Sequence, residues 1–208
     1  EGGLSSGNAG ESSNFLCYRA LRLNYYAVTG LLARVCLYAG QRENAFNYST
    51  EVIKASNNGI FPFVDRSLVN GTAQDPDRIF SPEVLFALSD SQRGELFEEY
   101  FDPSLAPNMV FRMETDLLEQ TIYGGTGTGG NLDDYRCRSN WISSGSARYF
   151  YKYSDMTESG RIENTMIPLL RLGEMYLIAA ESQSNSLANG VSYINTLRKN
   201  RGVSNLQT

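Results

Sequence analysis

The chain has 208 residues, 41% of them hydrophobic, so it can bury a core, and intrinsic disorder is not its expected state. Charged residues make up 20% and the formal net charge is -5, with Lys and Arg scattered rather than gathered into a stripe, which excludes a nucleic-acid footprint. Histidine is absent, which removes Ser-His-Asp and Cys-His nucleophilic machinery and the commonest metal ligand, and leaves only carboxylate or lysine catalysis open.

Residues 1 to about 13 are Gly and Ser rich without periodicity and read as a flexible lead-in. Cys17, Cys36 and Cys137 are odd in number and contain no CxxC, so neither a zinc site nor a disulfide framework is indicated. No cofactor is expected. The sequence shows no signal-peptide pattern, and Phe15-Leu16-Cys17 lacks the small residues that precede a lipoprotein cysteine. From Asn14 the pattern turns helical: Leu21, Tyr25, Val28, Leu32, Val35 and Ala39 form one apolar stripe expected to face the core, and Gly40 ends the helix. Ala45, Tyr48, Val52 and Ala55 repeat the spacing in a second helix that stops at Gly59, so the pair predicts an antiparallel hairpin at about 15–57. Cys36 reads as a core residue of this hairpin.

Residues 58–167 form a loop-rich insert punctuated by Pro62, Pro76, Pro82, Pro103 and Pro107. Within it Glu83 to Leu88 predicts a short buried strand or helical turn, and Phe111 to Gln120 a short helix. The run Gly124 to Gly130 lacks the Lys and Ser or Thr of a phosphate loop, and Tyr149 to Tyr153 predicts an extended piece lying on the helices. A second hairpin spans about 168–201. Pro168 is taken as its first-turn residue, Leu169, Leu172, Tyr176 and Ala179 as the inner face of its first helix, and Leu187, Val191, Ile194 and Leu197 as that of its second. Gly173 suggests a close backbone contact, and Arg171 and Glu174 can pair three residues apart. Arg34 interrupts one apolar run, and Arg171 with Glu174 the other, so neither spans a bilayer.

The spacing of Leu32, Ala33, Gly40 and Ala45 suits a tetratricopeptide-like hairpin. The stretch from Asn24 through Tyr38, then Gly40 and Ala45, resembles the tetratricopeptide-like segment of the SusD/RagB family of outer-membrane nutrient-binding lipoproteins. Ile167 to Glu181 followed by Ile194 to Gly202 is similar to that family's more specific "iPliRlaEmyLiyAEa … lN.lR.rRg" signature. Glu83 to Phe86, Asp134-Tyr135-Arg136 and Lys152-Tyr153 fall in the family's order between them. The resemblance covers nearly all of the chain after Asn14. It implies a mainly α fold, with tetratricopeptide-like helix hairpins, long irregular loops and a few short strands. It also implies an internal or truncated piece, because family members carry a lipoprotein signal, earlier hairpins and further chain. The implied role is a surface-exposed subunit that captures oligosaccharide or polysaccharide without cleaving it and delivers it to a SusC-like TonB-dependent outer-membrane transporter, attached to the membrane only by a lipid anchor.

With 13 Tyr, 10 Phe and 1 Trp among many neutral polar residues, the composition suits stacking faces ringed by hydrogen-bonding groups, a surface that binds sugars. The densest combination lies between Asn131 and Tyr153: Trp141 as stacking platform, with Tyr135, Tyr149, Tyr151, Asn140 and Arg138 beside it. Asp134 and Arg136 read as a structural pair, and Phe97, Tyr100 and Phe101 as a second aromatic loop. The alternatives are a helical protein-interaction scaffold and a glycoside hydrolase with carboxylates such as Glu98 and Asp134.

Overall fold

A computed structural model describes residues 18–69, 75–124, 132–158, 160–183 and 186–207. The lead-in 1–13, Cys17, Gly125 to Gly130 and Asn131 lie outside the described residues. Asn24 starts the first helix, α1 (Tyr25–Tyr38): its side chain accepts a hydrogen bond from the Ala27 amide at 3.0 Å and donates one to the Leu85 carbonyl at 3.0 Å. Gly40, at φ +73°, turns the chain into α2 (Arg42–Asn57), and Gly59, at φ +82°, ends it, both as the sequence indicated.

The buried face of α1 differs from expectation. Tyr25, Val28, Leu32 and Val35 are exposed, and Ala27, Thr29, Gly30, Ala33 and Cys36 face inward. The helix carries two apolar stripes, one of large and one of small side chains, and helical periodicity alone does not choose between them. Packing does: a Cβ on Gly30 would stand 3.3 Å from both Leu85 Cδ1 and Met175 Sδ, so only the small stripe lets α1 approach so closely. In α2 the expected Ala45, Val52 and Ala55 are buried, with Ser49 between them.

The insert contains α3 (Arg66–Val69), β1 (Val84–Ser89), α4 (Arg93–Tyr100), β2 (Arg112–Glu114), a π-helical turn at Leu117–Ile122, α5 (Tyr135–Asn140), β3 (Trp141–Ser144) and β4 (Ala147–Phe150). It runs into β5 (Met166–Arg171), after which α6 (Leu172–Ser182) and α7 (Leu187–Lys199) close the chain. The fold is mainly α, with helix hairpins and a few short strands. Strand β1 pairs antiparallel with β5, Leu88 opposite Ile167, and β2, β4 and β3 form a second antiparallel sheet in that order. Gly145, at φ +61°, makes the tight turn that sets β3 against β4.

Three boundaries move. Pro168 lies opposite Ala87 in β5 rather than opening a helix, because the strand finds its partner eighty residues earlier in the chain. Phe111 to Gln120 divides between β2 and the π-helical turn, and Tyr149 begins no isolated extended piece but belongs to the central strand of the second sheet.

The main core lies where α2 meets α6, with Ala45, Val52 and Ala55 against Leu172, Met175, Tyr176 and Ala179. Glu174 does not pair with Arg171. It takes a bidentate pair from Arg34, at 2.6 and 2.7 Å, and so fastens α1 to α6. Arg93, buried at the start of α4, donates to the Glu163 and Met166 carbonyls and pins that helix beside β5.

The end of α7 is held by a buried ion pair. The Arg201 guanidinium reaches both oxygens of Glu83, with Nη1 at 2.8 Å from Oε1, while Phe80 and Phe63 lie against the guanidinium. Glu83 is fully buried and Arg201 is 7% exposed; the same carboxylate also accepts the Val64 amide. Gly202 follows at φ +75°, where a Cβ would come within 2.5 Å of the Tyr135 ring and 2.8 Å of the Asp133 carbonyl. Gly173, expected at a close backbone contact, instead has only side chains of Arg201 and Leu197 near it, at an ordinary 3.5 Å.

Removing one partner of a buried ion pair leaves an uncompensated charge, so Glu83→Ala should cost about 3–5 kcal/mol in urea unfolding. Gly202→Ala should cost upwards of about 2 kcal/mol, because strain and clash add. Gly173→Ala should be neutral or stabilise by up to about 1 kcal/mol. A Gly202→Ala protein as stable as the parent would contradict this packing.

Candidate functional site

The second sheet sorts its aromatic side chains by strand alternation. Trp141 and Phe150 stand opposite each other across β3 and β4, and Ile142 and Tyr149, one step on, point to the other face. On the first face the Trp141 and Phe150 rings lie 5.2 Å apart, and Phe111, just before β2, packs 6.0 Å from Trp141 and 5.7 Å from Phe150. The turn after α4 adds Phe101, 5.6 Å from Phe150 and 6.2 Å from Phe111, and Tyr153 joins at 6.3 Å from Phe150. The Phe111 amide donates to the Tyr100 carbonyl at 3.0 Å, which fixes the two loops to each other. The result is a continuous patch of rings, with Phe111 50% exposed.

Trp141 is only 9% exposed: it backs Phe111 and Phe150 and presents no open face of its own. Tyr151 meets the edge of Phe97 at 4.9 Å and lies under the Arg78 guanidinium, so it borders the patch. Tyr149 is buried on the opposite face with Val110 and Ala147. Tyr135 packs against Val64, Val69 and Phe80, beneath Gly202. Asn140 is buried; its carbonyl accepts the Tyr151 amide at 2.7 Å and its side-chain oxygen accepts the Ser139 hydroxyl. Arg138 is spent on the Leu132 carbonyl and the Asp133 carboxylate. Asp134 caps α5 and holds Arg136 through both oxygens, the structural pairing expected of it.

Of the residues selected from sequence, therefore, Trp141 belongs to the ring patch and Tyr151 borders it, whereas Tyr135, Tyr149, Asn140 and Arg138 are placed elsewhere by their packing. Phe111 and Phe150 were missed. Their only signal was position beside residues of β propensity, and which ring is outermost depends on cross-strand register.

A second feature is a two-lobed cleft between α6, α7 and the insert. One lobe, of about 430 Å³, includes Tyr123, Asp134 and Arg198; the other, of about 340 Å³, includes Lys152, Arg171 and Glu174. Arg136, Arg201, Leu177 and Leu197 line both. Burial, with Asp134 nearby, pushes the Tyr123 hydroxyl up to about 12. Burial, reinforced by Arg171 and Arg93, pulls the Lys152 ammonium down to about 8, and burial followed by repulsion from Arg201 lowers Arg171.

No family model and no curated sequence matches the chain. Solved structures do. A SusD-like carbohydrate binding protein from Bacteroides vulgatus superposes with a TM-score of 0.57 at 20% identity, covering 91% of this chain and 39% of that one. A SusD superfamily protein from Bacteroides thetaiotaomicron gives a TM-score of 0.63 at 19% identity, covering 88% and 41%. A laminarin binding SusD-like protein gives 0.52 at 15% identity, covering 89% and 49%. The chain has the SusD-like fold and spans 39% to 49% of the length of these structures.

Because Arg171 adds to the larger effect of burial, Arg171→Met should raise the Lys152 midpoint from about 8 part of the way toward 10.5, followed through its 13Cε resonance. A midpoint that stays in place would show that burial alone sets it.

Proposed function

We propose that the chain is a non-catalytic glycan-binding unit that captures oligosaccharide at the bacterial cell surface for delivery to a SusC-like TonB-dependent transporter, as part of a lipid-anchored outer-membrane protein. The observation that carries this reading is the ring patch with Phe111 half exposed at its crest. Sugar rings present apolar C–H faces that pack on such planes, and backing rings hold the outer one in place without further loss of rotamer freedom on binding. Of the proteins with a similar fold, one is a carbohydrate binding protein and another a laminarin binding protein, which supports the same class of ligand.

The hydrolase alternative asks Asp134 to act as acid or base, yet both of its oxygens are engaged by Arg136. A protein-docking role is compatible with capture and has its own support. The outer face of α1, with Tyr25, Val28, Leu31, Leu32, Val35 and Tyr38 exposed and no charge among them, is a surface that another protein element would cover, as a transporter subunit could.

Phe111→Ala should weaken binding of neutral glucan oligosaccharides by about 5- to 30-fold, equivalent to about 1–2 kcal/mol, with an unchanged circular dichroism spectrum and no new reducing ends in either protein. Unchanged affinity in a folded variant would remove the patch from consideration, and release of shorter sugars would overturn the non-catalytic reading.

A further inference from the structure

The cleft described above concentrates positive charge in a chain whose net charge is -5. Its nearby carboxylates are already committed: Glu83 to Arg201, Asp134 to Arg136 and Glu174 to Arg34. Arg171 and Lys152 have no ion-pair partner among the described residues, and the Lys152 ammonium lies over the Tyr153 ring, 5.1 Å from its centroid. Arg198 also lines the cleft, with Nε given to the Ser204 carbonyl and a buried Nη2 that has no hydrogen-bond partner. Unpaired buried donors and charges cost free energy that an incoming acceptor would recover.

We propose that this cleft binds an oxyanion group, a carboxylate or sulfate, carried by an acidic saccharide. Arg171 and Lys152 supply the charge, and Arg198 offers a donor in the neighbouring lobe. Apolar walls from Leu177 and Leu197 run through both lobes, and a cleft of this size takes a ring as well as the anion it carries. A planar guanidinium donates two parallel hydrogen bonds to a carboxylate or sulfate, whereas a neutral sugar hydroxyl would leave the charge unmatched. Burial first, and then repulsion from Arg171 and Arg93, lowers the affinity of Lys152 for its proton, and a bound anion would oppose the repulsion. The saccharide half of this proposal rests on the glycan reading; the oxyanion half does not.

The test is calorimetric titration of the whole chain with sodium glucuronate, N-acetylglucosamine 6-sulfate, glucose and inorganic sulfate, repeated with Lys152→Met and Arg171→Met. The expected result is that one or both acidic sugars bind at least ten times more tightly than glucose and than free sulfate. Each variant should lose at least tenfold, with Lys152→Met retaining the parent's melting temperature. Inorganic sulfate binding as tightly as the acidic sugars would overturn the saccharide assignment, and no binding of any anion would overturn the site. The Phe111→Ala protein separates the two readings. Uronate binding that persists there while neutral oligosaccharide binding is lost supports both sites; failure of neutral sugars alone sinks only the stacking reading, and failure of acidic sugars alone sinks only the cleft.

Discussion

Arg201 and Glu83 are 118 residues apart in the chain, and their pairing in the interior joins parts that would otherwise share little. A carboxylate with no access to water is stable only if its oxygens are filled, and here Arg201 and the Val64 amide fill them. Phe63 and Phe80 lie against the guanidinium, with ring centroids 5.6 and 4.9 Å from its carbon, and add cation–π contact to the pair. Through this contact the last turn of α7, the start of β1 and the segment after α2 become one unit. Gly202, directly beyond Arg201, lets the chain pass over Tyr135, and the Tyr135 amide donates back to the Arg201 carbonyl at 3.0 Å. The same clamp thus sets where α5 begins, and with it the sheet that carries the ring patch.

The molecule separates scaffold from surface. Small residues let the helices pack closely: α1 turns Ala27, Gly30 and Ala33 inward, with Gly30 against Leu85 and the large Met175 of α6, and Gly190 of α7 has its missing Cβ only 3.0 Å from the Ala180 carbonyl. The insert uses its aromatic residues differently. Its sheet is narrow and has few aliphatic side chains, so ring-on-ring contacts take the place of a deep core, and the outermost ring stays half exposed because nothing described lies beyond it. Such a patch is rigid where a loop of single aromatics would not be, because each ring is held by two or more others.

What the sequence showed and what it concealed follow from the range of the interactions. Gly40 and Gly59 were legible because a left-handed residue after a helix is a local demand, and Ala45, Val52 and Ala55 because α2 has only one apolar stripe. The inner face of α1 was misjudged because its larger stripe is the outer one, and close approach of Leu85 and Met175 is invisible to periodicity. Pro168 was assigned to a helix because its strand partner Ala87 is remote in the chain. Trp141 was chosen from the aromatic and polar residues between Asn131 and Tyr153, a segment that does not contain Phe111, yet which of the two rings is covered depends on the pairing of β3 with β4 and of β2 with β4. Arg34 and Glu174 could not be matched in advance for the same reason, being 140 residues apart.

The central claim is that the ligand surface lies on the ring patch of the insert and that the helices are its support. It is tested most directly by mapping amide chemical-shift changes while the isotopically labelled chain is titrated with α-1,4-, β-1,3- and β-1,4-linked glucan hexaoses. The account predicts shifts grouped at Phe101, Phe111, Phe150 and Tyr153, with α2 and α6 unaffected. Shifts confined to the helix faces, or spread over the chain without a focus on those residues, would contradict it.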